Sequence, residues 1–104
     1  MPGPGLRRLW PMERAAIFVR GRVQGVGFRW WTRARALELG LSGFARNLTD
    51  GRVEISAQGP PEAIERLREL IGEEPSTTGR PGYVQDCVMQ SRGLRADLSG
   101  FHEW

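Results

Sequence analysis

Three glycines in seven residues, Gly21, Gly25 and Gly27, stand directly before an aromatic, arginine-containing segment in the stretch GRVQGVGFRWWTRAR (residues 21–35). Glycine weakens regular structure and permits sharp bends, so the cluster predicts a loop with a defined shape. Where such a loop ends a strand and begins a helix, several main-chain N–H groups have no helical partner, and the helix dipole reinforces them. The stretch therefore predicts a phosphate-binding loop.

The predicted loop consists of Arg22, Val23, Gln24, Gly25, Val26 and Gly27. Arg29, in the first helical turn, is predicted to add a bidentate, charge-assisted contact to the anion. Two well-known phosphate motifs are absent: the chain has no GxxxxGK[ST], and Trp30 replaces the last glycine or alanine of the dinucleotide fingerprint. The alternative is an ordinary glycine-rich turn with Arg29 as a surface charge.

The positive charge is concentrated in the half of the chain that contains this loop. Residues 15–47 contain six arginines against the single acidic residue Glu38, whereas residues 48–104 contain six arginines against ten acidic residues. An anionic ligand would be attracted to the first half. Diffuse, solvated charge is the alternative interpretation.

Length and composition indicate one domain in an intracellular, cytoplasmic protein. A chain of 104 residues is of single-domain size, its one cysteine, Cys87, cannot form an intramolecular disulfide, and no apolar run is long enough to span a membrane. Residues 1–14, rich in Pro, Gly and Arg, are predicted to form a disordered tail that precedes a domain at residues 15–104.

The hydrophobic pattern predicts an α+β fold. A strand is expected at residues 15–23, followed by a helix with Phe28, Thr32, Ala36 and Leu39 facing inward. Two strands, at 41–48 and 52–58, are expected to be joined by a turn. A second helix runs from Pro61 to Gly72, and a further strand is expected at 83–90. Residues 91–100 are unassigned, and 101–104 form a short final strand. The order matches a ferredoxin-like βαββαβ sandwich, an antiparallel sheet with two helices on one face.

Four sequence segments together resemble the acylphosphatase family: GRVQGVGFR, GLSGFARN, TDGRVEI and QGPPEAI. The resemblance covers residues 15 to about 71 and implies the same fold. It also implies that the phosphate cradle extends to Phe28, that Arg29 binds the phosphate and that Asn47 orients the attacking water. Without the resemblance, an asparagine just before a turn is more often a turn-capping residue.

The resemblance implies metal-independent hydrolysis of a small acyl phosphate to a carboxylate and inorganic phosphate, with no cofactor. A carboxylate leaves without needing a proton, so an arginine, N–H donors and a water-holding amide suffice. Inorganic phosphate is expected as product and competitive inhibitor, the protein is expected to be a monomer, and neither nucleic acid nor a membrane is an expected partner.

The alternative is a non-catalytic ferredoxin-like module that binds RNA or regulates another protein. The sequence IFVRG at residues 17–21 resembles half of an RNA-recognition signature, but residues 52–58 lack the paired aromatic side chains on which bases would stack. A regulatory domain of the same fold without turnover is the other form of this alternative.

Overall fold

The computed structural model describes residues 11–104, which form five strands and two helices. In chain order the elements are β1 (Glu13–Arg22), α1 (Phe28–Glu38), β2 (Ser42–Asn47), β3 (Val53–Gly59), α2 (Pro61–Gly72), β4 (Tyr83–Arg92) and β5 (Phe101–Glu103). One sheet contains all five strands in the order β4-β1-β3-β2-β5. The ferredoxin-like fold is confirmed.

The final strand corrects the prediction of a purely antiparallel sheet. β5 pairs parallel to β2, so the sheet is mixed, while the other neighbours are antiparallel. The connection from β4 to β5, left unassigned from the sequence, contacts the sheet near Gln58. There Gln58 Nε2 donates to the Arg95 carbonyl oxygen and Gln58 Oε1 accepts from the Arg95 main-chain N–H, each at 2.9 Å.

Both helices pack on one face of the sheet and enclose the core. The alternating residues of β1 and β3, with the apolar stripe of α2, are buried as the pattern predicts. They are Ala15, Ile17, Val19, Val53, Ile55, Ala57, Ile64, Leu67, Leu70 and Ile71. In α1, Phe28, Thr32 and Ala36 are buried as expected, and Trp31 joins them. Ser56, expected to face outward, is also buried, and its hydroxyl accepts a hydrogen bond from Arg14.

The first strand begins and ends earlier than the sequence suggests. Glu13 and Arg14, assigned to the predicted tail, belong to β1, where Glu13 pairs with Gly59 and Arg14 pairs with Arg92. Residues 1–10 of that tail lie outside the described residues. At the other end Val23 leaves the strand and is buried.

The strand register brings the predicted site residues to one end of the sheet. Val19 pairs with Val53, and Val53 pairs with Asn47, so the end of β2 lies two strands away from the end of β1. The loop between β1 and α1 starts at this same end.

None of the helices in the described part of the chain is long and apolar enough to cross a membrane.

Replacing Gly43 by alanine tests the close approach of β2 and β3. A Cβ atom on Gly43 would lie 1.8 Å from the Ser56 carbonyl oxygen, at a φ of 145°. We expect Gly43→Ala to lower the free energy of unfolding by about 2 kcal/mol or more, because the backbone must move. Gly72→Ala is the control, since a Cβ there meets nothing within 4 Å, and it should be neutral or stabilise by up to about 1 kcal/mol. Urea unfolding of both variants measures this, and equal effects would contradict the register.

Candidate phosphate-binding site

The loop between β1 and α1 makes its bend at two glycines. Gly25 has a φ of 74°, and Gly27 has a φ of 87° and a ψ of 12°, a left-handed conformation that L side chains rarely adopt. Gly27 is the N-cap of α1, and its carbonyl oxygen accepts the hydrogen bond of the Trp31 N–H at 3.0 Å. No side chain caps this helix.

The main-chain N–H groups of residues 24–30 are the central feature of the site. Within residues 11–104, none of them donates a hydrogen bond to a main-chain or side-chain acceptor. Gly25, Val26 and Gly27, in the middle of this row, are exposed residues, so a ligand can approach the row from solvent there. Because the α1 dipole adds positive potential at the same point, the loop is suited to an anion with several acceptor oxygens.

Arg29 is held beside this loop by Trp104, the residue that follows β5. Its Nη1 donates to the main-chain oxygen of Trp104 at 2.6 Å, and this is the one hydrogen bond that its side chain makes within the described residues. A guanidinium has five N–H donors, so Arg29 is oriented and still has donors for a ligand. The Trp104 indole itself stacks on Phe44 of β2, with 4.1 Å between the ring centroids. A second arginine of α1 contacts β5, since Arg33 Nε donates to the Phe101 carbonyl oxygen at 3.0 Å.

The Gln24 side chain connects the loop to the turn between β2 and β3. Its Nε2 donates to the carbonyl oxygens of Leu48 and Arg52 at 2.8 and 2.9 Å. The amide therefore fixes the distance between the loop and the end of β2. The sequence analysis assigns Gln24 to the predicted phosphate-binding loop. In the structure its side chain makes this connection, and its main-chain N–H has no acceptor among residues 11–104.

Asn47 is the exposed last residue of β2, and its side chain makes no hydrogen bond within residues 11–104. Asp50 caps the turn instead, since its Oδ1 accepts from the Arg52 N–H at 3.1 Å. That hydrogen bond, with the Arg52 guanidinium, holds the pKa of Asp50 below its usual value. The turn-capping role considered for Asn47 is therefore filled by another residue, and the Asn47 amide faces solvent.

The remaining predicted loop residues differ in what they offer a ligand. The side chains of Val23 and Phe28 are in the core, each 1% exposed, so they anchor the two ends of the loop. Arg22 is the last residue of β1 and is exposed. Of the two tryptophans, Trp31 is buried and its Nε1 donates to the Thr78 carbonyl oxygen, whereas Trp30 is 63% exposed.

Two contributions to the site have no signal in the sequence. The main-chain oxygen of Trp104 positions Arg29, and the Gln24 amide positions the turn. Both depend on contacts between residues far apart in the chain. A terminal aromatic strand was predicted, but its position parallel to β2 and beside α1 could not be inferred from its pattern.

The fold is that of a small α+β protein in which a glycine-rich loop with open main-chain N–H groups follows the first strand. The family model of acylphosphatase matches residues 15–103. The chain therefore belongs to the acylphosphatase family, as the sequence motifs predict.

Individual relatives agree with this assignment. The chain is 56% identical over 88 residues to an acylphosphatase of Acidothermus cellulolyticus, covering 85% of this chain and 83% of the relative. It is 50% identical over 103 residues to an acylphosphatase of Mycolicibacterium smegmatis, covering 99% of both chains. The crystal structure of acylphosphatase from Bacillus subtilis superposes with a TM-score of 0.76 at 32% identity, covering 88% of this chain and 98% of that one.

Substitution of Gln24 tests whether its amide sets the geometry of the site. Gln24→Glu keeps the shape, removes the donor and places a carboxylate against two carbonyl oxygens, so we expect a loss of about 1–3 kcal/mol in unfolding free energy. Binding of inorganic phosphate, measured by calorimetry, should weaken at least about fivefold because the loop loses its support and gains a negative neighbour.

Gln24→Ala separates the two causes, because it removes the hydrogen bonds without adding charge. Gln85→Glu, on the exposed surface of β4, controls for the added charge alone. Stability and phosphate affinity unchanged in both Gln24 variants would show that the amide does not support the loop.

Proposed function

We propose that this protein is an acylphosphatase that hydrolyses small acyl phosphates without a metal ion or cofactor. Water attacks phosphorus, the bond between phosphorus and the bridging oxygen breaks, and that oxygen leaves with the acyl group as a carboxylate. The protons of the water remain on the phosphate product, so the reaction needs no other reactant. The proposal includes inorganic phosphate as a competitive inhibitor and a monomeric enzyme in the cytoplasm.

The observation that carries the proposal is the row of main-chain N–H groups at residues 24–30 that donate to no acceptor in the described part of the chain. A transferred phosphoryl group spreads its charge over three oxygens, and its hydrolysis is accelerated mainly by positioning and charge stabilisation. We assign the charge stabilisation to these N–H groups and to the free donors of Arg29. Within residues 11–104 no three His, Cys, Asp or Glu side chains lie close enough together to hold a metal ion.

The leaving group does not require a general acid. A carboxylate departs as a weak base, so a proton donor would add little. The single histidine of the chain, His102, is on β5, where its Nε2 lies 2.8 Å from the Ser99 carbonyl oxygen. It therefore has a local partner and is assigned no catalytic role.

Asn47 is proposed to hold the attacking water. Its amide is exposed at the end of β2, and Gln24 ties the turn that follows it to the phosphate-binding loop. An amide has both donors and an acceptor, so it can accept from a water and direct the water oxygen towards phosphorus. Asp50 satisfies the turn, which leaves the Asn47 amide available for this role.

A non-catalytic module is the less favoured function. The family match supports hydrolysis, and the aromatic residue of the RNA-like segment, Phe18, already has a partner: the Arg52 guanidinium carbon lies 5.1 Å from its ring centroid. No aromatic residue occurs in β3, so the two central strands lack the paired rings expected of an RNA-binding sheet.

Two substitutions, assayed with acetyl phosphate in the presence of a chelator, test the proposal. Arg29→Gln should reduce turnover and weaken phosphate inhibition together, each at least about tenfold, because the guanidinium contacts phosphate before and during reaction. Asn47→Ala should lower kcat roughly 10²-fold and leave phosphate inhibition nearly unchanged, because it acts on the water.

The chain provides a matched control for each variant. Arg33→Gln removes a second α1 arginine that also bonds the β5 main chain, and Thr49→Ala changes the exposed turn residue next to the site. Both should retain activity within about threefold. Lack of acetyl phosphate hydrolysis by the unmodified protein would overturn the proposed hydrolase function. A destabilised Asn47→Ala variant with normal kcat would show that Asn47 has a structural role only.

A further inference from the structure

The α2–β4 connection, residues 73–82, ends beside the loop between β1 and α1. A Cβ atom on Gly27 would lie 4.0 Å from Pro81 Cγ, and a Cβ atom on Gly82 would lie 3.0 Å from Val26 Cγ2. The sheet order places β4 and the β2–β3 turn on opposite sides of β1. The connection therefore borders the loop on the side away from the contact with the turn.

Arg80 anchors this connection to the end of α2. Its side chain is 3% exposed, and its Nη1 donates to the main-chain oxygens of Ile71 and Glu73 at 2.8 and 2.6 Å. Carbonyl groups at a helix C-terminus have no partner within the helix, and the helix dipole favours a cation there. Arg80 therefore satisfies the end of α2 and fixes the next residue, Pro81, relative to that helix.

Two further sets of hydrogen bonds hold the connection in one shape. Ser76 Oγ accepts from the main-chain N–H groups of Thr78 and Arg80 at 3.2 and 3.0 Å. The Thr78 carbonyl oxygen accepts from Trp31 Nε1 at 3.1 Å and from Arg35 Nη1 at 3.3 Å, and both donors belong to α1. The connection is therefore bonded to both helices before it reaches the loop.

The bonding of Arg80 suits placement more than stability. A buried guanidinium loses its hydration, and Arg80 Nε donates to no acceptor within residues 11–104. Its one carboxylate partner in that range is the exposed Glu74, with 3.4 Å between Nη2 and Oε2. The guanidinium is rigid and planar, so the carbonyl oxygens bonded to it restrict the Arg80 main chain. We therefore expect Arg80 to determine where Pro81 lies.

The position of Pro81 matters for the anion because it borders the loop main chain. Open N–H groups bind a ligand well only if they are held in place beforehand, since otherwise binding must order them. Gln24 holds the loop on the side of the β2–β3 turn. On the other side, Pro81 and Gly82 are the neighbours that limit its movement.

We propose that Arg80 is a positioning residue of the phosphate-binding site. It acts through Pro81 and Gly82 on the loop main chain and does not touch the ligand. This inference rests on the proposed function, in which the N–H groups of residues 24–30 bind the phosphoryl group. Loss of the Arg80 anchor should therefore lower the phosphate affinity of the folded protein as well as its stability.

Calorimetry with inorganic phosphate and kinetics with acetyl phosphate test the proposal on the full chain, at a temperature where melting curves show that the variants are folded. Arg80→Gln should weaken phosphate binding about fivefold and lower kcat/KM at least as much, because the N–H groups lose their preorganisation. Ser76→Ala removes an acceptor within the same connection without a change of charge, and it should weaken both about threefold. Arg80→Lys keeps the charge but not the planar donor group, so an intermediate loss is expected.

Arg14→Gln is the matched control. Arg14 also bonds two segments, through the Gly93 main-chain oxygen and the Ser56 hydroxyl, but it lies at the other end of β1. Its replacement removes the same charge and a similar set of hydrogen bonds, so the phosphate dissociation constant should change less than about twofold.

The results separate this inference from the function on which it rests. An unmodified protein that neither binds phosphate nor hydrolyses acetyl phosphate would overturn the function itself. Normal phosphate affinity in folded Arg80→Gln and Ser76→Ala, or an equal loss in Arg14→Gln, would overturn the positioning role alone. An effect that Arg80→Lys abolishes, with normal affinity in Ser76→Ala, would be one of charge and would also overturn it. Ser76→Ala decides the outcome if Arg80→Gln does not fold.

Discussion

The structure is organised around a set of main-chain N–H groups that find no acceptor within residues 11–104. Folded proteins pair nearly all of their buried backbone donors, and a helix N-terminus normally uses a side-chain cap. Here the N–H groups of residues 24–30 donate to no acceptor within residues 11–104, and the N-cap of α1, Gly27, has no side chain to cap the helix. In the proposed function, the oxygens of a phosphoryl group are the acceptors for these donors.

Open donors are useful only if the backbone that carries them is rigid. The loop is anchored in the core through Val23 and Phe28, tied to the β2–β3 turn by Gln24, and bordered by Gly82. Arg29 is fixed separately, through the main chain of Trp104. The geometry of the candidate site therefore depends on β2, on the segment before β4 and on the residue after β5, as well as on the loop itself.

The parts of this structure that could be predicted are those encoded over short distances. The alternation of Val53, Ile55 and Ala57 identified a central strand, and the glycines at 25 and 27 identified the loop because its bend is a local property. The parallel β5, the burial of Ser56 and the contact of Arg29 with Trp104 depend on how distant segments meet, so no local pattern encodes them. The same limit applies to site residues such as Gln24. Its position in the loop was predicted from the sequence, but the acceptors of its side chain, 24 and 28 residues away, were not.

In the proposed reaction, the loop holds the phosphoryl group so that water attacks phosphorus and the acyl group leaves as an intact carboxylate. Hydrolysis of acetyl phosphate in ¹⁸O-labelled water tests this most directly, because the label marks the atom that water attacks. The account predicts one labelled oxygen in each phosphate produced and none in acetate. Label in the acetate would mean attack at the carbonyl carbon and would contradict the roles given to the loop, Arg29 and Asn47.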